Sequence, residues 1–251
     1  MTWRLVSDAT VEEQRAFANF SVTKAHRGEL INDSKTNFTQ RVEIAGRFYY
    51  VKQYLRPGKY LRRFLGRSRV SKEWRNAGWF VQNDIPTPRR IAMGEGNRWF
   101  GSYWGVIVSE EAPQTIDLRK VYQNHPEMLQ DRIWRRGMIL ELARTVAQMH
   151  RNRFIHNDLQ WRNLLVGMSA PPRIYMIDCP AGRSIYLLGN RRGVVRDLAF
   201  LDKMAKDALS RTDRLRFYLN YLGIDRLRGR DKKEIGRILD FLGKKGNQKR
   251  G

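Results

Sequence analysis

The stretch from residue 154 to residue 180 constrains the fold of this chain more than any other part of the sequence. It carries three polar residues at the spacing H-x-D-x-x-x-x-N, namely His156, Asp158 and Asn163. Two short apolar runs follow, separated by a turn rich in Gly, Ser and Pro, and a second acid, Asp178, ends the second run. The pattern predicts a loop, a β-hairpin and another loop, with the two acids and the amide brought to one end.

Phosphoryl transfer requires such a cluster. One carboxylate orients the acceptor hydroxyl and takes its proton, and oxygen ligands hold Mg²⁺ on the nucleotide phosphates. The spacing matches the catalytic loop of protein kinases and their metal-binding Asp. It predicts a kinase using ATP and Mg²⁺, with Asp158 at the acceptor and with Asn163 and Asp178 on the metal. We expect His156 to be a buried structural residue rather than a base.

A second pair of charged residues lies upstream in the required order. Residues 38–54 alternate β-branched, aromatic and polar side chains around Ala45-Gly46, which predicts a hairpin with Lys52 near its end. Glu73 follows 21 positions later on a predicted basic helix. In a kinase, such a glutamate pairs with the strand lysine and fixes it over the α- and β-phosphates. Short strands are predicted at 89–93 and 102–108, and Glu110 and Ala112 then occupy the place of an adenine-binding hinge.

The C-terminal part reads as mainly helical. Residues 126–150 predict one long helix whose buried face comprises Leu129, Ile133, Met138, Leu142, Val146 and Met149. A further helix is predicted to begin at Asp197, which would cap it and steady the catalytic loop, and another to span 212–222. The fold class expected is therefore α+β, two-lobed and protein-kinase-like. A small β-rich lobe would span residues 1–109 and a larger helical lobe residues 110–251.

The chain has 48 Lys and Arg against 25 Asp and Glu, a net charge of +23, which predicts an anionic partner. Four basic residues follow Asp178 and would recognise phosphate or carboxylate on the acceptor: Arg183, Arg191, Arg192 and Arg196. The basic stretch 56–75 and the basic tail would meet an anionic membrane surface. No nucleic acid is expected, because no nucleic-acid-binding motif accompanies the charge.

Localisation follows from other features. The single cysteine, Cys179, excludes an intrachain disulfide and suits a reducing compartment. No signal-peptide core begins the sequence and no apolar run is long enough to cross a bilayer. We therefore expect a cytoplasmic protein, peripheral on the cytoplasmic face of the inner membrane.

With these residues placed, residues 38–221 resemble the sugar kinases of the bacterial lipopolysaccharide core, the Kdo and heptose kinases. The resemblance is carried by Tyr50-Val-Lys52-Gln-Tyr, Lys72-Glu73-Trp74, Ile85-Pro-Thr-Pro88, Gly94-Glu95, His156-Asn-Asp158 with Asn163, Ile177-Asp178, Arg196-Asp197-Leu and Arg214-Leu-Arg-Phe217. It implies a two-lobed kinase fold and phosphate transfer from ATP to a heptose or Kdo hydroxyl of the inner core. The lipopolysaccharide core or a lipid A precursor would be the acceptor molecule.

Three positions depart from the kinase pattern. The glycine-rich phosphate loop is replaced by residues 31–37, where Ser34, Lys35 and Thr36 would meet the phosphates. The D-F-G triplet is Asp178-Cys-Pro, and Asn157 replaces the arginine of H-R-D. These changes argue against switching through an activation loop. Two alternatives stay open: a kinase for another acceptor, either a small molecule or a protein, and a catalytically inactive relative that serves as a basic scaffold.

Overall fold

The computed structural model describes residues 2–34, 37–55, 68–97, 103–185 and 191–247, with the side chains of all of these except residues 97 and 244–247. The chain divides into two compact units. The N-terminal unit comprises Met1–Gly78 and Pro88–Pro113, and the C-terminal unit comprises Trp79–Thr87 and Gln114–Gly251. The segment 79–87, which the sequence assigned to the first lobe, therefore groups with the second unit.

An antiparallel sheet forms the N-terminal unit, with strand order β1-β5-β6-β4-β3-β2. Its strands are β1 (Thr2–Leu5), β2 (Glu29–Asp33), β3 (Asn37–Ile44), β4 (Arg47–Tyr54), β5 (Arg90–Asn97) and β6 (Tyr103–Glu110). Its helices are α1 (Val11–Ala16), α2 (Phe20–Ala25) and α3 (Arg69–Gln82), whose last four residues count with the C-terminal unit. The predicted hairpin is present as β3 and β4, and Ala45 and Gly46 form its turn with positive φ angles of 50° and 76°.

Strand β4 carries two different sets of side chains because successive residues point to opposite faces. Tyr49 and Val51 lie in a core that includes Phe17, between α1 and α2. Tyr54, two residues after Lys52, instead packs with Val70 of α3. The face that carries Lys52 is therefore the face turned toward α3.

The C-terminal unit is mainly helical. Its helices are α4 (Leu118–Asn124), α5 (Pro126–Gln130), α6 (Arg132–Arg151), α7 (Arg191–Ala208), α8 (Arg211–Leu222) and α9 (Gly229–Asn247). Its short strands are β7 (Thr115–Asp117), β8 (Phe154–Ile155), β9 (Leu164–Gly167), β10 (Ile174–Met176) and β11 (Arg183–Ser184), paired as β10-β9-β7 and β11-β8. The predicted hairpin after the catalytic loop is β9 and β10. Over the part of the chain described, no helix has both the length and the apolar character needed to span a bilayer.

Two helix predictions in this unit were wrong at their boundaries. The single helix predicted over residues 126–150 is broken at Asp131, whose carboxylate accepts the N–H groups of Ile133 and Trp134 and caps α6. The break changes the phase of the helix, so Ile133 is 78% exposed rather than buried. The helix predicted to begin at Asp197 begins at Arg191, so Asp197 is an interior residue of α7 and not its cap.

Candidate active site

Asp197 of α7 anchors the loop between β8 and β9 by accepting two of its backbone N–H groups. One carboxylate oxygen of Asp197 accepts the backbone N–H of His156 at 2.7 Å, and the other accepts that of Asn157 at 2.8 Å. Asn157 has a φ of 68°, a conformation that costs energy for a residue other than glycine. Its side-chain amide also donates to the carbonyl of Ala181 at 2.6 Å. Asp197 is fully buried, so these bonds tie the loop to the interior of α7.

Asp158 follows this anchored pair, and three side chains donate hydrogen bonds to its carboxylate. Gln160 Nε2 donates to Oδ1 at 2.5 Å, while Arg162 and Asn163 Nδ2 approach Oδ2 at 3.0 and 3.2 Å. The side chain of Asp158 is 34% exposed and that of Arg162 is 46% exposed. The sequence analysis did not identify Gln160 and Arg162 as partners of Asp158. The position of Arg162, four residues after Asp158, could have suggested an ion pair between them.

Asn163 and Asp178, the predicted metal ligands, lie at neighbouring points of the C-terminal unit. The backbone N–H of Ile177 donates to the carbonyl of Asn163 at 3.1 Å, which brings Asp178 one residue beyond that bond. The Asn163 amide nitrogen donates to both the carbonyl and the carboxylate of Asp158, so its amide oxygen points away from that residue. Asp178 is exposed, with a φ of 53°.

This donor set fits Mg²⁺. Amide and carboxylate oxygens are hard ligands, and Mg²⁺ at a nucleotide usually takes one or two protein ligands together with phosphates and water. Within the described ranges, no group of three His, Cys, Asp or Glu side chains forms a metal cage. The pair Asn163 and Asp178 therefore suits a metal shared with a nucleotide.

His156 is fully buried beneath this loop, and its ring stacks on Phe80 with centroids 6.3 Å apart. Burial lowers the pKa of its imidazole, against the opposing influence of the carboxylates of Asp197, Asp158 and Asp178. A ring that resists protonation in the interior suits the structural part expected of His156.

The lowered pKa of His156 predicts a loss of stability in mild acid. Above the ordinary histidine value of 6.5 the ring is neutral in both the folded and the unfolded chain. Below that value the unfolded chain binds a proton that the folded chain refuses, so unfolding is favoured. We expect the free energy of unfolding in urea to fall between pH 7.5 and pH 5.5, and to fall less in His156→Leu. An equal pH dependence in that variant would contradict the expectation.

The N-terminal unit brings Lys52 and Glu73 together. Lys52 Nζ donates to Glu73 Oε1 at 3.1 Å, and the two side chains are 14% and 10% exposed. Lys52 lies on β4 and Glu73 on the second turn of α3. The sequence-predicted pair is thus formed within one unit and is shielded from water.

Three further predicted nucleotide contacts, Ser34, Glu110 and Ala112, belong to the N-terminal unit. Ser34 follows β2, and its hydroxyl donates to the carbonyl of Asn37, the first residue of β3, at 3.0 Å. Lys35 and Thr36 lie outside the described residues. Glu110 ends β6, and its backbone N–H donates to the carbonyl of Arg89 at 2.8 Å, while Ala112 is 7% exposed.

The four predicted acceptor-binding arginines differ in their surroundings. Arg191 makes a bidentate ion pair with Glu234 of α9, so it would have to leave that pair to bind a substrate anion. Arg183 on β11 and Arg192 on α7 are exposed. Arg196 is half-buried, and its Nε has no hydrogen-bond partner in the part of the chain that is described.

A β-rich unit with a strand lysine and a helix glutamate, followed by a helical unit with an H-x-D-x-x-x-x-N loop, defines a kinase-like protein. The family model described as the lipopolysaccharide kinase (Kdo/WaaP) family matches residues 19–221. The chain belongs to this family, which confirms the resemblance seen in the sequence.

Two relatives agree with this assignment. The chain is 26% identical over 222 residues to the lipopolysaccharide core heptose(I) kinase WaaP of Pseudomonas aeruginosa, covering 80% of both proteins. It is 25% identical to a solved structure of WaaP in complex with acyl carrier protein, with a TM-score of 0.73 and 99% of each chain covered. The structural match confirms the predicted fold class, and the family supports a kinase of the lipopolysaccharide core.

Proposed function

We propose that this chain transfers the γ-phosphoryl group of ATP to a hydroxyl of a heptose or Kdo sugar in the inner core of lipopolysaccharide. The observation that carries the proposal is the loop holding Asp158, which Asp197 anchors through two backbone N–H groups. Membership of the lipopolysaccharide kinase family supports the choice of acceptor.

In this proposal Asp158 acts on the acceptor. The sugar hydroxyl forms a bond to the γ-phosphorus, the bond to the β-phosphate oxygen breaks, and Asp158 takes the hydroxyl proton. Arg162 is the most exposed of the three side chains on that carboxylate, so we expect the hydroxyl to take its place. Lys52 would bind the α- and β-phosphates while Glu73 holds it in position.

Asn163 and Asp178 would hold Mg²⁺, which neutralises the negative charge of the phosphates when it is bound. The Asn163 amide is oriented for this task by its two hydrogen bonds to Asp158. The same bonds link the proposed metal ligand to the proposed base. A substitution at Asn163 is therefore expected to disturb both.

A basic surface supports a membrane-bound acceptor. Helix α9 exposes Lys232 and Lys233, and also Arg230 and Arg237, which form ion pairs with acids of the same helix. Its apolar residues Ile235 and Ile238 pack into the helical core. Basic residues near an anionic leaflet contribute about 1 kcal/mol each. We propose that the protein lies on the cytoplasmic face of the inner membrane, where lipid A precursors present their charged groups.

The test is phosphate transfer to a defined acceptor. Purified protein would be incubated with Mg²⁺-ATP and deacylated core oligosaccharides, and the products analysed by mass spectrometry. The proposal expects one added phosphate on a heptose or Kdo residue. ATP consumption with no modified oligosaccharide would favour a different acceptor, and absence of ATP binding would favour the scaffold alternative.

A second proposal, which concerns a binding partner, starts from an apolar cavity of about 480 Å³ in the C-terminal unit. It is lined by side chains of α6 to α9, including Leu142, Leu201 and Ile238, with Arg211 and Arg214 also present. Because WaaP is known in complex with acyl carrier protein, we propose that this chain also binds an acyl carrier protein, with the acyl chain in the cavity.

Calorimetry with the carrier protein in acylated and unacylated forms tests this second proposal. Tighter binding of the acylated form would support the cavity as the acyl site, because burying an acyl chain removes apolar surface from water. Equal affinity of the two forms would remove the cavity from the proposal. No binding of either form would contradict the second proposal as a whole.

A further inference from the structure

A buried tyrosine, Tyr54, lies beside the Lys52–Glu73 pair. It stands two residues after Lys52 on β4, so both side chains point to the same face of the sheet. Its hydroxyl donates a hydrogen bond to Glu73 Oε2, while Lys52 donates to the other oxygen, Oε1. The carboxylate of Glu73 is therefore held at both oxygens by residues of a single strand.

Close packing of α3 on the sheet makes this contact possible. Gly105 of β6 lies opposite Tyr54 in the strand register. A Cβ atom at Gly105 would overlap Val70 Cγ2 of α3, so the glycine permits the helix to approach. Val70 is fully buried and packs with Tyr54 in the same apolar cluster. Glu73, one turn further along α3, is thereby brought within reach of β4.

The surroundings of Tyr54 restrict its motion. The residue is 1% exposed and packs with Met93 and Ile107 as well as Val70. The Arg69 guanidinium lies 5.5 Å from the centre of its ring, and Lys52 Nζ lies 5.3 Å from it. A packed ring that has two rotatable bonds presents its hydroxyl at a nearly constant point. Glu73, by contrast, has three side-chain torsions and loses much rotamer freedom when it is ordered.

An ammonium group has three donors. The direction from which the Glu73 carboxylate meets the Lys52 ammonium sets the directions of the other two N–H donors. A hydrogen bond to the second oxygen fixes the plane of the carboxylate and so fixes the direction of Oε1. Hydrogen bonds to charged groups are stronger than neutral ones, so the Tyr54 bond is suited to this task.

We propose that Tyr54 is a positioning residue for phosphate binding, which acts by holding Glu73 so that Glu73 orients Lys52. This inference rests on the proposed function, because it assigns Lys52 to the nucleotide phosphates. It adds a residue that the H-x-D-x-x-x-x-N loop and the lysine–glutamate pair do not include. Its signature in sequence is an aromatic residue with a hydroxyl two positions after the strand lysine.

Tyr54→Phe removes the hydroxyl and keeps the ring, so it is the variant to test. Tyr49→Phe is a matched control, because Tyr49 is equally buried on β4 and its hydroxyl donates to another glutamate, Glu13, at 3.0 Å. Tyr49 lies on the opposite face of the strand from Lys52. We expect kcat/KM for ATP to fall at least tenfold in Tyr54→Phe, the factor expected from one hydrogen bond to a charged group, and to change less than twofold in Tyr49→Phe. Both variants should show similar losses of melting temperature.

A double variant separates positioning from general destabilisation. If Tyr54 acts through Glu73, then Tyr54→Phe should cause little further loss of kcat/KM in a Glu73→Gln background. A loss of the same size in both backgrounds would overturn the inference, as would wild-type kinetics in Tyr54→Phe.

Chemical labelling distinguishes failure of this inference from failure of the proposed function. Acetylation of Lys52 by acetic anhydride, followed by mass spectrometry without nucleotide, reports how firmly Glu73 holds the ammonium. We expect Lys52 to react several-fold faster in Tyr54→Phe than in wild type or Tyr49→Phe. Unchanged labelling overturns the positioning by Tyr54 even if the wild type phosphorylates sugar. Faster labelling without ATP binding by the wild type upholds the contact but overturns both the proposed function and the assignment to phosphate.

Discussion

Phosphate transfer is expected to fall by about 10²–10⁴-fold when Asp158 is replaced by asparagine, because a neutral amide cannot take the proton of the sugar hydroxyl. Asparagine keeps the size of the side chain, its oxygen can accept from Asn163, and its NH₂ group can donate to Gln160 once the Gln160 amide turns over. We therefore expect the variant to fold and to bind ATP with near-wild-type affinity. Transfer measured by mass spectrometry and ATP binding measured by calorimetry provide the two readouts.

Asp131→Asn is the appropriate control for the Asp158 variant. Asp131 is exposed and caps α6, and asparagine is as good a cap as aspartate. This control removes one carboxylate from the same unit, and we expect unchanged transfer. If Asp158→Asn retained more than a tenth of wild-type activity, Asp158 would not be the group that accepts the proton.

Local signals explain which parts of the fold could be predicted. The hairpin of β3 and β4 follows from alternating side chains and a two-residue turn, Ala45-Gly46, all contained within 18 residues of chain (37–54). The loop with Asp158 is equally local, since its polar residues lie at fixed short spacings. In both cases the information needed to specify the structure is contiguous in sequence.

Features that depend on distant residues were not predicted. Strand β1 forms only because residues 2–5 pair with residues 92–95, and nothing within the first 27 residues indicates this partner. Arg191 appeared to be an available cation, but Glu234, 43 positions later, neutralises it. The contact of Tyr54 with Glu73 also requires α3 to be docked on the sheet. Such contacts are set by tertiary packing, which no periodicity records.

The helix boundaries show that an aspartate beside an apolar helical pattern can either cap a helix or lie inside one. Asp131 and Asp197 are both acids next to apolar helical patterns, and such acids favour helix starts. Asp131 does cap a helix and divides a long pattern in two. Asp197 instead lies within α7 and directs its carboxylate to the backbone of His156 and Asn157. The two aspartates differ in the backbone N–H groups that they accept. Those bound by Asp131 belong to the helix that it caps, whereas those bound by Asp197 belong to a loop about 40 residues earlier in the chain.

Asp197→Asn is expected to cost about 2 kcal/mol of the free energy of unfolding, and to lower kcat as well. An asparagine side chain has one acceptor oxygen, so one of the two backbone N–H groups would face an NH₂ group in a fully buried site. The loop that holds Asn157 at its positive φ angle would then lose one of its two backbone hydrogen bonds to Asp197. We expect Asp158 to be displaced as a result. The value of kcat should then be reduced even at temperatures well below the melting temperature of the variant.

Urea denaturation and transfer kinetics measure these two consequences separately. Asp207→Asn serves as the control, since Asp207 lies on the same helix α7 but is exposed to solvent. We expect the control to keep both stability and kcat, because it removes an acid of the same helix without touching the loop. Loss of stability with unchanged kcat in Asp197→Asn would mean that Asp197 supports the fold alone. Reduced kcat at a temperature where the variant is fully folded would show that the buried carboxylate also sets the geometry of the loop.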